Sequence, residues 1–370
     1  MQIRIASPRG VAKARIYGQL INGRLNWRGG PFEQRCYDEH RPMQSSSDAR
    51  PLWWTLSAVW VAMLMGGVAF VRQQQIPVGI ALAAALIAGS LESSFYAASG
   101  FAVARRWVRR LPQRSLWIAA STLPPFLIYS FGVGFRWQAF LVLIALAAAI
   151  AWWFEVLPSS NWTDGGFLAV IACGLLFESS GYFYPALSKK LKTDYIGHIM
   201  WLRLSFWALL VVRDRGDMGF GFIPTRKDWV VGGRYFVYCV PVAAVVLWLV
   251  QPMRLKNHLS WSLTPLVAVG TFVGFLWVVA LSEELFARGV LQGDLSVGLK
   301  NAWLGLVITS VVFGLVHLNL ERKFPNWRAV LLAGVLGLFC GRAAQVAGSI
   351  RASMVTHALV VTVYRVFLSK

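Results

Sequence analysis

Five side chains toward the C-terminal end of the 370-residue chain have the types and spacing for chemistry. Glu283 and Glu284 are adjacent, and Arg288 comes four residues later, all at the end of an otherwise apolar run. His317 closes a later run, in Phe313-Gly314-Leu315-Val316-His317. His357 lies inside the last run, in Thr356-His357-Ala358. Ionisable groups at membrane depth cost several kcal/mol each unless they are paired or line a wet cavity. On a helix, Glu284 and Arg288 share a face one turn apart, whereas Glu283 is rotated about 100° away. Glu284 is thereby assigned to the arginine, and Glu283 is left for other work.

A carboxylate and an imidazole can share a water and activate it for attack on an amide carbonyl. A second imidazole on another helix can donate to the oxyanion that forms. Hydrolysis of a peptide bond at or within a membrane is a coherent use of these residues. Zinc is the rival: Glu283, His317 and His357 make a His-His-Glu ligand set, although no His-Glu-x-x-His run is present. A single histidine in a membrane helix usually serves packing or interhelical bonding. Two of them with a Glu-Glu-x-x-x-Arg helix require more. The other three histidines, His40, His198 and His258, lie outside this group.

The elements that must position these groups are membrane helices. Hydrophobic residues make up 57% of the chain, charged residues 14%, and the mean hydropathy is +0.55. Several runs approach the roughly 20 apolar residues of a spanning helix. The reading is all-α, a polytopic transmembrane bundle of about eleven segments. They fall near 53–71, 77–98, 115–131, 137–157, 166–187, 198–212, 235–250, 265–288, 302–318, 328–347 and 352–368. Pro124-Pro125 should kink or break the third. The net charge of +20 sits mostly in short loops, the pattern of basic loops held on the cytoplasmic side, with no nucleic-acid motif beside it. The densest basic loop is Arg105-Arg106-Trp107-Val108-Arg109-Arg110. Cys36, Cys173, Cys239 and Cys340 have no metal-type spacing and read as small core residues.

Residues 1–50 are basic, Gly-rich and aperiodic, the composition of a disordered extension; Met43 offers an alternative start. Residues 51–194 form an N-terminal membrane region of about five helices without converging polar groups. Residues 195–370 hold the charges and histidines. Glu92-Ser93-Ser94 and Glu178-Ser179-Ser180 form a faint repeat, and with Arg203 they carry an alternative transporter reading.

Glu283-Glu284-Leu285-Phe286-Ala287-Arg288, then Phe313-x-x-x-His317, then His357, in this order and at this spacing, resemble the motifs of the CPBP intramembrane endopeptidases. That family includes type II CAAX prenyl endopeptidases and bacteriocin-processing or immunity-type Abi proteins. The resemblance covers about residues 195–370. It implies a CAAX-protease-like helical core, in which Glu283 is the general base holding water with His317. Glu284 and Arg288 fix helix geometry and local charge, and His357 stabilises the oxyanion. It further implies glutamate-dependent chemistry with no cofactor. The implied partners are membrane lipid and a membrane-associated, CAAX-type substrate. The implied location is a bacterial cytoplasmic membrane.

One position departs from that pattern. The family carries Asn or Asp four residues after the last histidine, where this chain has Val361. Thr362 and Asn319 are the nearby polar substitutes. Loss of one oxyanion donor costs on the order of 100- to 1000-fold in rate. A related, catalytically weak scaffold with an immunity or regulatory role is therefore the second reading.

Overall fold

The computed structural model describes residues 49–77, 79–176, 180–188, 191, 193–215, 218–250, 254–255, 263–322 and 324–369. The N-terminal extension to residue 48, Met43, His40, Cys36, Glu178, Ser179, Lys189, Lys190, Lys192 and His258 lie outside them. Of the second half of the faint repeat, only Ser180 is described.

Helices account for nearly everything described. In chain order they are α1 (Ala49–Gln73), α2 (Ile80–Ser99), α3 (Ala102–Arg110), α4 (Arg114–Ala120), α5 (Leu123–Val133), α6 (Trp137–Val156), α7 (Asn161–Leu176) and α8 (Ser180–Phe183). Then come α9 (Asp194–Trp207, prolonged by a π-helical stretch Ala208–Val212) and α10 (Arg226–Val250). A long composite helix, α11, fills 264–298. After it come α12 (Ala302–Val316, closed by the 3-10 turn His317–Arg322), α13 (Trp327–Ala347) and α14 (Ile350–Phe367). Residues Arg254–Leu255 and Leu368–Ser369 make a two-residue antiparallel pair.

Ten of these helical stretches are long and apolar enough to span a membrane. Their outer faces expose large apolar side chains such as Trp54, Leu141, Trp248, Leu249 and Leu266. Such a surface suits lipid and not water. The chain is an integral membrane protein with an all-helical fold.

The expected fifth span is described only in two pieces. They are α7, described to Leu176, and α8, which ends at Phe183, two residues before Pro185, where a proline disfavours helix in the residue ahead of it. The expected third span is two helices, α4 and α5, parted at Ser121-Thr122. Pro124 and Pro125 fall in the first turn of α5, where a missing N–H leaves no bond unmade. The basic stretch read as a loop is helical, α3. It holds no Gly or Pro, and its last-turn arginines favour the negative helix end.

The expectation that no polar groups converge upstream of residue 195 is incorrect. Glu92 on α2 and Arg203 on α9, both fully buried, form an ion pair. Arg203 also donates to the Ser121 hydroxyl at 2.7 Å and to the Ser121 carbonyl at 3.0 Å, and Tyr184 donates to Glu92 at 3.2 Å. The partners come from four separate segments, so no local pattern announces them. Here the α4–α5 break has a use, because Ser121 sits at that break. A second ionic cluster joins α7 to α11. Asp164 is buried and accepts from Arg213 at 2.9 and 3.1 Å and from Arg215, which also donates to Asp294 at 2.7 Å. Burial pushes the Asp164 carboxyl up, but the two guanidinium groups outweigh it and hold it below its ordinary value.

Two apolar clusters fill the bundle. One gathers Phe126, Tyr129, Leu143, Ile150, Phe167, Ile171, Ile196, Met200 and Leu204, so α9 is packed into the upstream helices. The other brings Tyr96 and Phe206 against Leu276, Leu281, Leu285, Ile350 and Met354. It supports the helix that carries the paired glutamates.

Candidate active site

The helix α11 is not uniform. Residues Leu281–Glu284 form a single α-helical turn between two π-helical stretches, Phe275–Ala280 and Leu285–Gln292. A π turn inserts an extra residue and rotates the helix beyond it; such turns concentrate at functional sites. Side chains bond to the carbonyls around this irregularity. Tyr96 of α2 donates to the Trp277 carbonyl at 2.6 Å, and Ser282 donates to Val278 and Val279 at 2.9 and 2.8 Å. The Trp277 indole reaches the Phe222 carbonyl at 2.8 Å.

Glu284 is fully buried. It accepts from Arg288 Nε at 2.9 Å on one oxygen and from His357 Nδ1 at 2.8 Å on the other. The Arg288 guanidinium lies 5.1 Å above the Phe313 ring. With Nδ1 given to Glu284, the His357 ring is fixed in orientation and its Nε2 is directed elsewhere. That nitrogen lies 3.9 Å from Glu283 Oε2. This is too long for a hydrogen bond and short enough for one water to serve both. The Glu283 side chain is one-third exposed, and its Oε2 has no hydrogen-bond partner among the described residues. The two neighbouring carboxylates are thus sorted by environment, one saturated and one open.

The structure brings four of the five expected residues into this cluster. His317 makes no hydrogen bond to it. Its Nδ1 is 2.8 Å from the Phe313 carbonyl, and no hydrogen bond joins it to Glu283. Phe313 is the link, its ring centroid 5.0 Å from that of His317 and 6.0 Å from that of His357. Glycines let α12 approach α13: a Cβ on Gly314 would meet the Val330 carbonyl at 2.6 Å, and one on Gly337 would meet Ser310 at 3.2 Å.

Val361 packs in an apolar cluster with Cys239, Leu336 and Cys340. Thr362 is buried and its hydroxyl has no partner among the described residues. Asn319 is exposed.

Cys340, read from the sequence as a core residue, borders the site directly. Its sulfur, a Glu284 oxygen and a His357 nitrogen lie within 4.8 Å of one another. No spacing in the sequence signals this, since the three come from α11, α13 and α14. As a metal set the group fits poorly. Glu284 and His357 are bonded to each other, and Arg288 puts a positive charge on the same carboxylate. The His-His-Glu set of Glu283, His317 and His357 does not appear as a cluster among the described residues.

Fold and site together define an integral membrane protein with a Glu-Glu-Arg-His centre in which all but Glu283 are buried. Residues 264–363 match the family model described as type II CAAX prenyl endopeptidase Rce1-like. This stretch runs from the start of α11 into α14 and contains every residue of the centre, so the chain carries a Rce1-like C-terminal domain. No curated protein and no solved structure matches the chain.

Proposed function

We propose that the protein is an intramembrane endopeptidase that cleaves a membrane-associated, CAAX-type substrate with water activated by Glu283. The observation that carries this reading is the division of labour between the carboxylates. Glu284 is consumed by Arg288 and His357, while Glu283 faces His357 Nε2 across a gap one water can bridge. Glu283 takes the water's proton as the oxygen attacks the carbonyl carbon. His357, held by Glu284, donates to the oxyanion and then helps protonate the leaving nitrogen. With His357 protonated, two carboxylates, one guanidinium and one imidazolium give the centre no net charge, which suits an apolar surrounding. His317 borders the site through Phe313 and would orient the water or the substrate. No cofactor is needed for these steps. The basic loops between spans fit a bacterial cytoplasmic membrane.

The second reading, a catalytically weak scaffold, is favoured by Val361, an apolar residue in an apolar cluster where the family pattern has an amide or acid. One comparison separates the two. Membrane proteomes of cells carrying the wild type and E283A should differ by uncleaved precursors in the variant, with both proteins at equal abundance. Normal processing in E283A would sink the endopeptidase reading. A phenotype retained in E283A and lost on removing α14 would establish the scaffold.

A further inference from the structure

The four arginines of α3 divide by face. Arg105 and Arg109, one turn apart, point into the protein. Arg105 is buried, donates to the Ser99 carbonyl at 2.8 Å and lies 5.6 Å over the Phe220 ring. Arg109 donates to the Leu210 carbonyl at 2.6 Å and pairs with Asp214 at 2.8 Å. Arg106 and Arg110, also one turn apart, are exposed, and Trp107 beside them is 64% exposed.

Position in the chain gives this face its meaning. α3 joins the span α2 to the span α4–α5, so it lies where the chain turns at the membrane surface. In the first turn of α4, which follows directly, Leu116 and Trp117 are exposed as well. Tryptophan favours the headgroup layer, and a guanidinium fork matches phosphate oxygens. We propose that the outer face of α3 binds anionic phospholipid headgroups, with Arg106 and Arg110 on the phosphates and Trp107 seated among the headgroups. The inward arginines hold the helix to Ser99, Leu210 and Asp214, so the binding face is fixed before lipid arrives.

Each basic residue near an anionic surface contributes about fivefold in affinity, so two contribute roughly 25-fold. The test uses the full chain in detergent micelles, titrated with dioleoyl phosphatidylglycerol, with dioleoyl phosphatidylcholine or with inorganic phosphate, and counts retained molecules by native mass spectrometry. The wild type should retain phosphatidylglycerol in preference to both others. R106Q/R110Q should weaken that retention by at least about tenfold, and R106K/R110K should keep most of it. R226Q/R234Q, which removes two exposed arginines of α10 that are eight positions apart and not one turn apart, should lose clearly less. If the double glutamine variant fails to fold, the single variants R106Q and R110Q should each lose about fivefold. Equal retention by wild type and these variants overturns the proposal. So does an equal loss in R226Q/R234Q, or retention of inorganic phosphate in place of the lipid.

Discussion

Glu284 and Arg288 form the most costly contact in the site. Both side chains are excluded from solvent, and two charges leave water only at a penalty of several kcal/mol per ion. Their mutual bond, the His357 donation and the Phe313 ring offset that penalty. Removal of one partner strands the other. R288M should therefore lower stability by about 3–5 kcal/mol, the usual cost of an orphaned buried charge. E284Q/R288M removes both charges and should recover much of that loss. Thermal unfolding of the detergent-extracted protein measures both; a double variant no more stable than R288M would show that the pair is not the source of the effect. Glu283 differs in kind. It is partly exposed and makes no hydrogen bond through Oε2, so E283Q should leave the unfolding midpoint nearly unchanged while removing cleavage. Loss of a general base costs about 100- to 10,000-fold in rate.

At the scale of elements, local signals were readable and long-range ones were not. Apolar runs, the Pro124-Pro125 break and the shared face of Glu284 and Arg288 arise from composition and helix geometry, which are properties of neighbouring residues. The π turns around Leu281–Glu284 were not legible. They coincide with the Tyr96 bond to Trp277, between residues 181 positions apart. Cys340 is the buried core residue its surroundings in the sequence suggest, but its closeness to Glu284 and His357 exists only once α11, α13 and α14 pack. The Tyr96 bond gives the upstream helices a direct hold on α11. Y96F should cost about 0.5–1.5 kcal/mol, the net worth of one hydrogen bond. It should also speed amide exchange across 275–284 relative to α13. Unchanged exchange there would mean that α2 merely packs beside the π turn without holding it.

The described helices are tied together by ionic contacts between segments far apart in sequence. Asp164, Arg213, Arg215 and Asp294 fasten α7 to α11, and Glu92 with Arg203 fastens α2 to α9. In the sequence Glu92 and Arg203 read as the basis of a transporter, because intramembrane charges are functional by default. The structure gives them another explanation. Arg203 is surrounded by Glu92, Ser121 and the Phe95 ring, and Glu92 also accepts from Tyr184, with neither side chain open to solvent. A translocation site must open to solvent during its cycle; this cluster is closed and fully bonded, which is the description of a pin. A pin and a pathway respond differently to neutralisation. R203M strands Glu92 and should reduce folded protein in the membrane by a cost of about 3–5 kcal/mol. E92Q/R203M, uncharged and close in volume, should fold better than R203M alone. The molecules that do fold should process the precursors that accumulate in E283A at the wild-type rate, normalised to folded protein. If folded E92Q/R203M fails to process them, the ion pair has a part in function, and the work of the upstream helices would extend beyond holding α11 in place.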